Sequence, residues 1–243
     1  MPSRCPSAPT PAPVPPPCAQ CVVAAQCPVT LRRQQAGPDS AAMAPQARLW
    51  RSGQVLQRQG EASARTAFVK LGLMAIRRLD ASGRERAIAV IGPATLLGQS
   101  STFERATMFT VQALTPVATC EFPPRLVQDL LLPRQLPSAA SDFVLQHTRQ
   151  VIATLADWSL LLRLPRLEHR LTLALQLLAR MQPAGAVRVP NQTVLAELLG
   201  AQRESINRVW KDLELRGVVR RRSGGSVDIN HALLLPPPPP LPR

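Results

Sequence analysis

NQTVLAELLGAQRESINRVWKDLELRG, residues 191–217, is the stretch from which the fold of this chain is read. Asn191 suits the cap of a helix running from Gln192 to Leu199, because its side-chain oxygen can accept from a backbone N–H that the first turn leaves unpaired. Gly200-Ala201-Gln202 reads as a turn, since glycine tolerates the left-handed conformation that ends a helix. A second helix follows from Arg203 to Leu215, and Gly217 stops it. Two helices that meet at a fixed steep angle need a small residue where they touch and apolar anchors around it. Ala196 supplies the contact, Gly200 the turn, and Leu195, Leu199, Ile206 and Val209 the anchors. The stretch predicts a helix-turn-helix, since a generic helical hairpin does not require small and apolar residues at every one of these places. Strands from Val218 to Arg222 and from Ser226 to Ile229, joined around Ser223-Gly224-Gly225, add a wing.

The outward face of the second helix carries Arg203, Glu204, Asn207 and Arg208 close to its N-terminus, the end that enters a major groove. Arginine pairs with guanine O6 and N7, glutamate accepts from cytosine N4, and asparagine can pair with adenine. A merely solvated face would more often show Glu and Lys in i, i+4 pairs. Arg220, Arg221 and Arg222 in the wing, with Asn191 and Gln192 at the start of the first helix, are the candidate phosphate contacts. Composition points to the same partner, double-stranded DNA: of 243 residues, 29 are Lys or Arg and 15 Asp or Glu, a net charge of +14. The excess is almost entirely arginine, the side chain suited to phosphates and guanine. No apolar run approaches the roughly 20 residues that span a bilayer, and none has signal-peptide length, so no membrane association and a cytoplasmic location are expected. No nucleophile motif is present and His147, His169 and His231 are scattered, so the chain is not expected to be an enzyme.

Upstream, Val144, Thr148, Val151, Leu155, Trp158 and Leu162 step by 4, 3, 4, 3, 4. This period of 3.5 predicts one seam of a long helix that pairs with the same helix of a second copy, giving a homodimer. Pro165 suits the start of the next helix, Arg166 to Met181. From about Trp50 to Phe122, short β-type segments (Gln54–Leu56, Ala67–Lys70, Leu73–Leu79, Ala87–Ile91, Met108–Ala113 and Val117–Phe122) alternate with turns at Gly53, Gly60, Gly72, Ser82-Gly83 and Gly92-Pro93. That spacing predicts a compact antiparallel barrel or roll, with no βαβ rhythm. Prolines crowd both ends of the chain. The expected organisation is a Pro-rich extension over 1–17, a cysteine loop plus β-roll over 18–137, a dimerisation helix over 138–164, a winged helix-turn-helix over 165–233 and a Pro-rich tail over 234–243.

Five cysteines are too few, and odd in number, for a disulfide framework. Cys18, Cys21 and Cys27 form C-x2-C-x5-C, and Cys120 ends the roll; four such thiolates can supply an iron–sulfur cluster. Zinc would usually show two close ligand pairs, and redox thiols without metal are the remaining reading. Cys5 lies in the Pro-rich extension, outside this set.

With these residues in hand, the chain resembles the cAMP receptor protein family of bacterial transcription regulators from Cys18 to about Ala232. Gly200-Ala201-Gln202-Arg203-Glu204-Ser205-Ile206-Asn207-Arg208 is similar to the family's recognition-helix signature. The stretch from Gly72 to Gly98, with Gly83-Arg84-Glu85 and Leu97-Gly98, is similar to its β-roll. The resemblance implies an α+β fold: an N-terminal cyclic-nucleotide-binding-like β-roll, a long dimerisation helix and a C-terminal winged helix-turn-helix. Cyclic-nucleotide members carry a Gly-Glu pair and a later Arg-Ser or Arg-Thr pair that hold ribose and phosphate. Here Gly98 precedes Gln99 and Arg105 precedes Ala106, so a cyclic nucleotide is not the expected cofactor.

The cysteines resemble those of the FNR subgroup, the oxygen-sensing fumarate and nitrate reduction regulators, which carry a 4Fe-4S cluster. Carried over residue by residue, that resemblance implies Cys18, Cys21, Cys27 and Cys120 as ligands, although Val22 and Gln26 depart from the subgroup's pattern beside them. Asp157 resembles an acidic position in the subgroup's dimer helix where charge opposes pairing. The implied function is oxygen or redox control of binding to a palindromic operator, with RNA polymerase as a further partner. Regulation by another small molecule or heme in the roll, or by thiol or zinc chemistry, is the alternative. Arg203 before Glu204 resembles the cyclic-nucleotide-receptor type of reading helix, which favours a TGTGA-like half-site over the TTGAT of FNR-type readers.

Overall fold

Short strands divided by glycine turns have no room for crossover helices and so pair antiparallel. The computed structural model describes residues 20–30, 45–62, 65–98, 106–131 and 138–234. Its first half is a β-roll of two four-stranded sheets. One runs in the order β1 (Gln46–Trp50), β8 (Val117–Phe122), β3 (Thr66–Leu71), β6 (Leu96–Leu97), and the other in the order β2 (Val55–Gln57), β7 (Thr110–Ala113), β4 (Met74–Leu79), β5 (Glu85–Ile91). Two glycines are fixed by close approach: a Cβ on Gly72 (φ +92°) or on Gly98 (φ +74°) would lie 2.4 Å from the carbonyl oxygen of Pro116 or Arg65. The β4–β5 hairpin turns around Asp80, whose carboxylate accepts from the N–H groups of Ser82 and Arg84 and pairs with Arg86 at 3.1 Å. The Ser82 hydroxyl and these neighbours hold the Asp80 carboxyl well below the usual carboxylate range.

Among the described residues, five α-helices follow the roll: α1 (Pro124–Leu131), α2 (Ser138–Leu161), α3 (Leu167–Arg180), α4 (Gln192–Leu199) and α5 (Arg203–Leu215). A three-stranded sheet in the order β10 (Val219–Arg221), β11 (Ser226–Ile229), β9 (Val187–Arg188) completes the winged head. The expected mixed architecture is therefore present. A continuous core runs from Met74, Val90 and Val111 of the roll through Trp158 and Leu161 of α2 to Leu171 and Leu175 of α3 and Leu195, Leu199, Ile206 and Trp210 of the head.

That core takes Trp158 out of the dimer seam expected from period alone. Trp158 is only 1 % exposed within a single chain and belongs to the chain's own interior. Val151 and Leu155 are half-buried, Thr148 is exposed, and Leu162 lies exposed beyond the end of α2, which stops at Leu161 rather than at residue 164. The Val144 side chain lies outside the described residues. The large apolar side chains that α2 leaves in solvent are Leu145, Ile152 and Leu160. Leu145, Ile152 and Leu160, which step by 7 and 8, thus face outward, because the indole takes the inward side.

Helix α2 is also fixed to the roll by a polar contact. His147, 5 % exposed, accepts the backbone N–H of Leu96 at its Nε2, at 3.2 Å. Burial pushes the imidazole below its usual value of 6.5, and the Leu96 contact opposes this only in part. The unfolded chain therefore takes up a proton before the folded one does. The contribution of His147 to stability is complete above about pH 6.5 and is lost as pH falls, by at most about 1.4 kcal/mol per pH unit. Melting temperatures measured between pH 8 and pH 5 are expected to fall, and His147→Gln is expected to flatten that slope.

Candidate functional sites: the reading head, the cysteine segment and the roll cavity

The reading head is built by local signals. Asn191 Oδ1 accepts the Val194 N–H at 3.0 Å to start α4, and Gly200 ends it at φ 58°, ψ 45°. Arg203, Glu204 and Arg208 stand exposed on α5. Asn207 is half-buried, and its Oδ1 accepts from Gln192 Nε2 at 3.2 Å, which sets its amide and ties the two helices together. Asn191 and Gln192, expected at phosphates, are thus engaged within the head. Trp210, absent from the expected anchors, is buried and donates its indole N–H to Glu214 at 3.1 Å.

The wing arginines are less available than their charges suggest. Arg221 pairs with Glu214 at 2.5 Å and lies 5.8 Å from the Trp210 ring centroid, while Arg222 pairs with Asp228 at 2.6 Å. Arg220 is exposed. Replacing Arg208 with Ala should cost about 1 to 3 kcal/mol of operator affinity and relax choice at one base pair. Arg220→Ala should weaken all sequences alike and lower the salt slope, with Arg221→Ala and Arg222→Ala having smaller effects because DNA must first displace their carboxylates. Salt titrations of operator binding measure both quantities.

Arg170 holds the head together from behind. Its Nε donates to the Leu164 carbonyl at 2.7 Å and its Nη1 to the Leu199 carbonyl at 3.0 Å. The head meets the roll through Glu197 of α4, whose Oε2 lies 2.9 Å from Arg77 Nη2 and accepts the Ala87 N–H at 3.2 Å, beside the bulge where β4 and β5 change register. These pairs, remote in sequence, carry no local pattern by which they could have been read.

The cysteine segment packs on the outside of the roll. Val23, Cys27 and Val29 are buried with Phe68, Leu96, Phe122 and Val127, and Cys21 packs against them half-buried. Register places Cys120 directly opposite Phe68 on neighbouring strands. Residues directly opposite on paired strands share a face, so Cys120 lies on the face that the segment covers. Burial pushes the Cys27 thiol up, against backbone contacts from Thr30 and Val29, with the nearby Cys21 adding a smaller rise. Cys18 and Cys5 lie outside the described residues. Among the described residues, no group of three His, Cys, Asp or Glu gathers as a site for a single metal ion. Asp157, expected to repel a partner copy, is half-buried; burial raises its pKa while the charge of Arg180 in its own chain opposes the rise.

Inside the roll, a cavity of about 280 Å³ is lined by Arg48, Trp50, Arg58, Arg65, Leu97, Gly98 and Glu121, among others. The Glu121 carboxylate, 6 % exposed, sits 3.5 Å from Arg48 and 3.4 Å from Arg65. Arg48 also stacks over Trp50 at 4.1 Å. Gln99 and Arg105 lie outside the described residues.

A β-roll joined by a long helix to a winged helix-turn-helix defines a DNA-binding regulator. Residues 47–133 match the family model for a cyclic nucleotide-binding domain and residues 158–233 that for a Crp-like helix-turn-helix domain. A curated relative, the cyclic AMP receptor protein of Thermus thermophilus, is 30 % identical over 192 residues, covering 78 % of this chain and 86 % of the relative. The chain belongs to the Crp/Fnr family of transcription regulators. Solved structures share the fold: a CRP-family transcriptional regulator from Thermus thermophilus (TM-score 0.60, 19 % identity, 75 % of this chain and 91 % of that one) and FixK2 from Bradyrhizobium japonicum (TM-score 0.66, 15 % identity, 77 % and 93 %). No helix among the described residues is long and apolar enough to cross a membrane.

Proposed function

We propose that this regulator is of the FNR-like kind, a homodimer in which a 4Fe-4S cluster held by Cys18, Cys21, Cys27 and Cys120 reports oxygen or redox state to a palindromic operator. The observation that carries the reading is the burial of Cys27 against the sheet face on which the register places Cys120. A thiol whose pKa burial has raised keeps its proton until a metal displaces it, so filling such a site couples metal binding to the packing of the whole segment. A four-iron cluster spans several ångströms, and its thiolates need not meet at one point as those of a zinc ion must. The cluster would supply an oxygen-sensitive redox centre. The chain's own residues supply its seat and the path from that seat to α2. RNA polymerase is the expected further partner through the same resemblance.

A visible spectrum and an iron assay on anaerobically purified protein test this reading. A broad visible band that bleaches in air is expected; a colourless, iron-free protein containing zinc would remove the cluster. The roll cavity favours a second reading, a small effector bound among Arg48, Arg58 and Arg65. A cyclic phosphate is not that effector in our reading, since Glu121 already pairs with Arg48 and Arg65 and a phosphate would have to displace it from them. Calorimetric titration with cyclic AMP is expected to give no saturable heat, and tight binding would reverse the assignment.

A further inference from the structure

Strand β6, two residues long, has attachments on three sides. The Leu96 side chain is buried with Val23, Cys27 and Val29 of the cysteine segment. Its backbone N–H donates to His147 of α2. Leu97 and Gly98, next along the chain, line the roll cavity. β6 is anchored laterally to β3 through Ala67 opposite Leu97 and Phe68 opposite Leu96, the same Phe68 that lies opposite Cys120. On α2, His147 and Trp158 are eleven positions apart, close to three full turns, and both are buried, so they mark one inward face. Leu145 and Ile152, exposed, mark the opposite face.

We propose that His147 is the positioning residue through which the cysteine segment, acting on β6, sets the rotation of α2 and hence the geometry of its dimer face. This rests on the cysteine segment being the sensor. Leu96 joins the two ends of the path: its side chain senses how the segment packs, and its N–H is held by the helix. A change in packing around Cys27 shifts Leu96, and a hydrogen bond of fixed length and direction passes that shift to α2 where apolar contact alone would slip. Trp158 serves as the far pivot of the same face. Leucine at position 147 would fill the space but leave the Leu96 N–H without this acceptor. Glutamine offers an oxygen near the place of Nε2, whereas the shorter amide of asparagine reaches only the place of Nδ1.

The test is a cycle in the full-length chain, combining Cys27→Ser with His147→Leu, His147→Gln and His147→Asn. Sedimentation gives the monomer–dimer constant of each protein, amide exchange follows the Leu96 N–H, and iron content is measured alongside. In the parent, Cys27→Ser is expected to weaken dimerisation about tenfold or more. With His147→Gln that difference should persist. With His147→Leu or His147→Asn it should vanish while the chains stay folded, and exchange at Leu96 should accelerate. If His147→Leu fails to fold, the contrast between Gln and Asn carries the same information. An equal effect of Cys27→Ser in every background, or no effect in the parent, overturns the proposal. An iron-free parent in which the coupling survives removes the cluster alone. A cluster-bearing parent whose coupling ignores residue 147 removes only the role of His147.

Discussion

Replacing Cys27 or Cys120 with alanine is expected to abolish iron incorporation and, with it, tight operator binding, while Cys5→Ala leaves both unchanged. Four thiolates is the usual requirement of the cluster. Cys120 sits inside β8 between strands that fix its position on both sides, so no other described cysteine can take its place. Both side chains are small and buried, and losing a sulfur there costs the fold far less than the several kcal/mol of a large-to-small core change. The variants should therefore remain folded by circular dichroism while iron and sulfide fall to background. Normal iron in Cys120→Ala would sink the ligand set.

Ile152→Glu should dissociate the proposed homodimer. The side chain is 61 % exposed in the single chain, so the substitution costs the protomer little. Across a symmetric α2–α2 seam it would bring two carboxylates together in an apolar interface, a burial of unpaired charge that typically costs about 3 to 5 kcal/mol, roughly 100- to 5,000-fold in the association constant. Operator affinity should fall with it, because a two-fold operator is read by two heads at once. Val151→Glu is the less clean experiment, since Val151 is half-buried within its own chain and the change would also disturb the protomer. A chain carrying Ile152→Glu that still sediments as a dimer and binds DNA like the parent would place the dimer interface elsewhere.

The reading head was legible because its signals are local. Caps, a left-handed glycine and apolar spacing within 27 residues place α4 at Gln192–Leu199 and α5 at Arg203–Leu215, as the spacing predicts. Most strands of the roll were legible from their glycine turns, but β6 has only two residues and no alternation to detect, β1 has no β-branched residue, and α1, which Pro124 opens as a proline suits a first helical position, runs for only eight residues. The seam shows the limit of periodicity. The period picks out residues 144 to 162 but does not say which of them turn into the chain's own core, and only the tertiary fact that Trp158 is buried while Leu145, Ile152 and Leu160 are exposed decides that. His147 with Leu96, and Glu197 with Ala87, join residues 51 and 110 positions apart; nothing in a single sequence pairs them. The wing arginines are legible as charge but not as paired charge, since Glu214 and Asp228 meet them only once β10 and β11 are folded.

Arg170 has a mechanical consequence. By holding the carbonyls of Leu164 and Leu199 together, it makes the residues after α2, the start of α3 and the end of α4 move as one block. That block is tied to the roll by the Arg77–Glu197 pair, by the Glu197–Ala87 hydrogen bond and by the core that Leu195 and Leu199 share with Met74 and Val90, so turning it means giving up all three. A twist of α2 would then reach Arg203 and Arg208 through the whole block, and only against those contacts. In the proposed homodimer, operator choice would then have two independent sources: the bases each head reads, and the half-site spacing that the stiffness of these contacts permits.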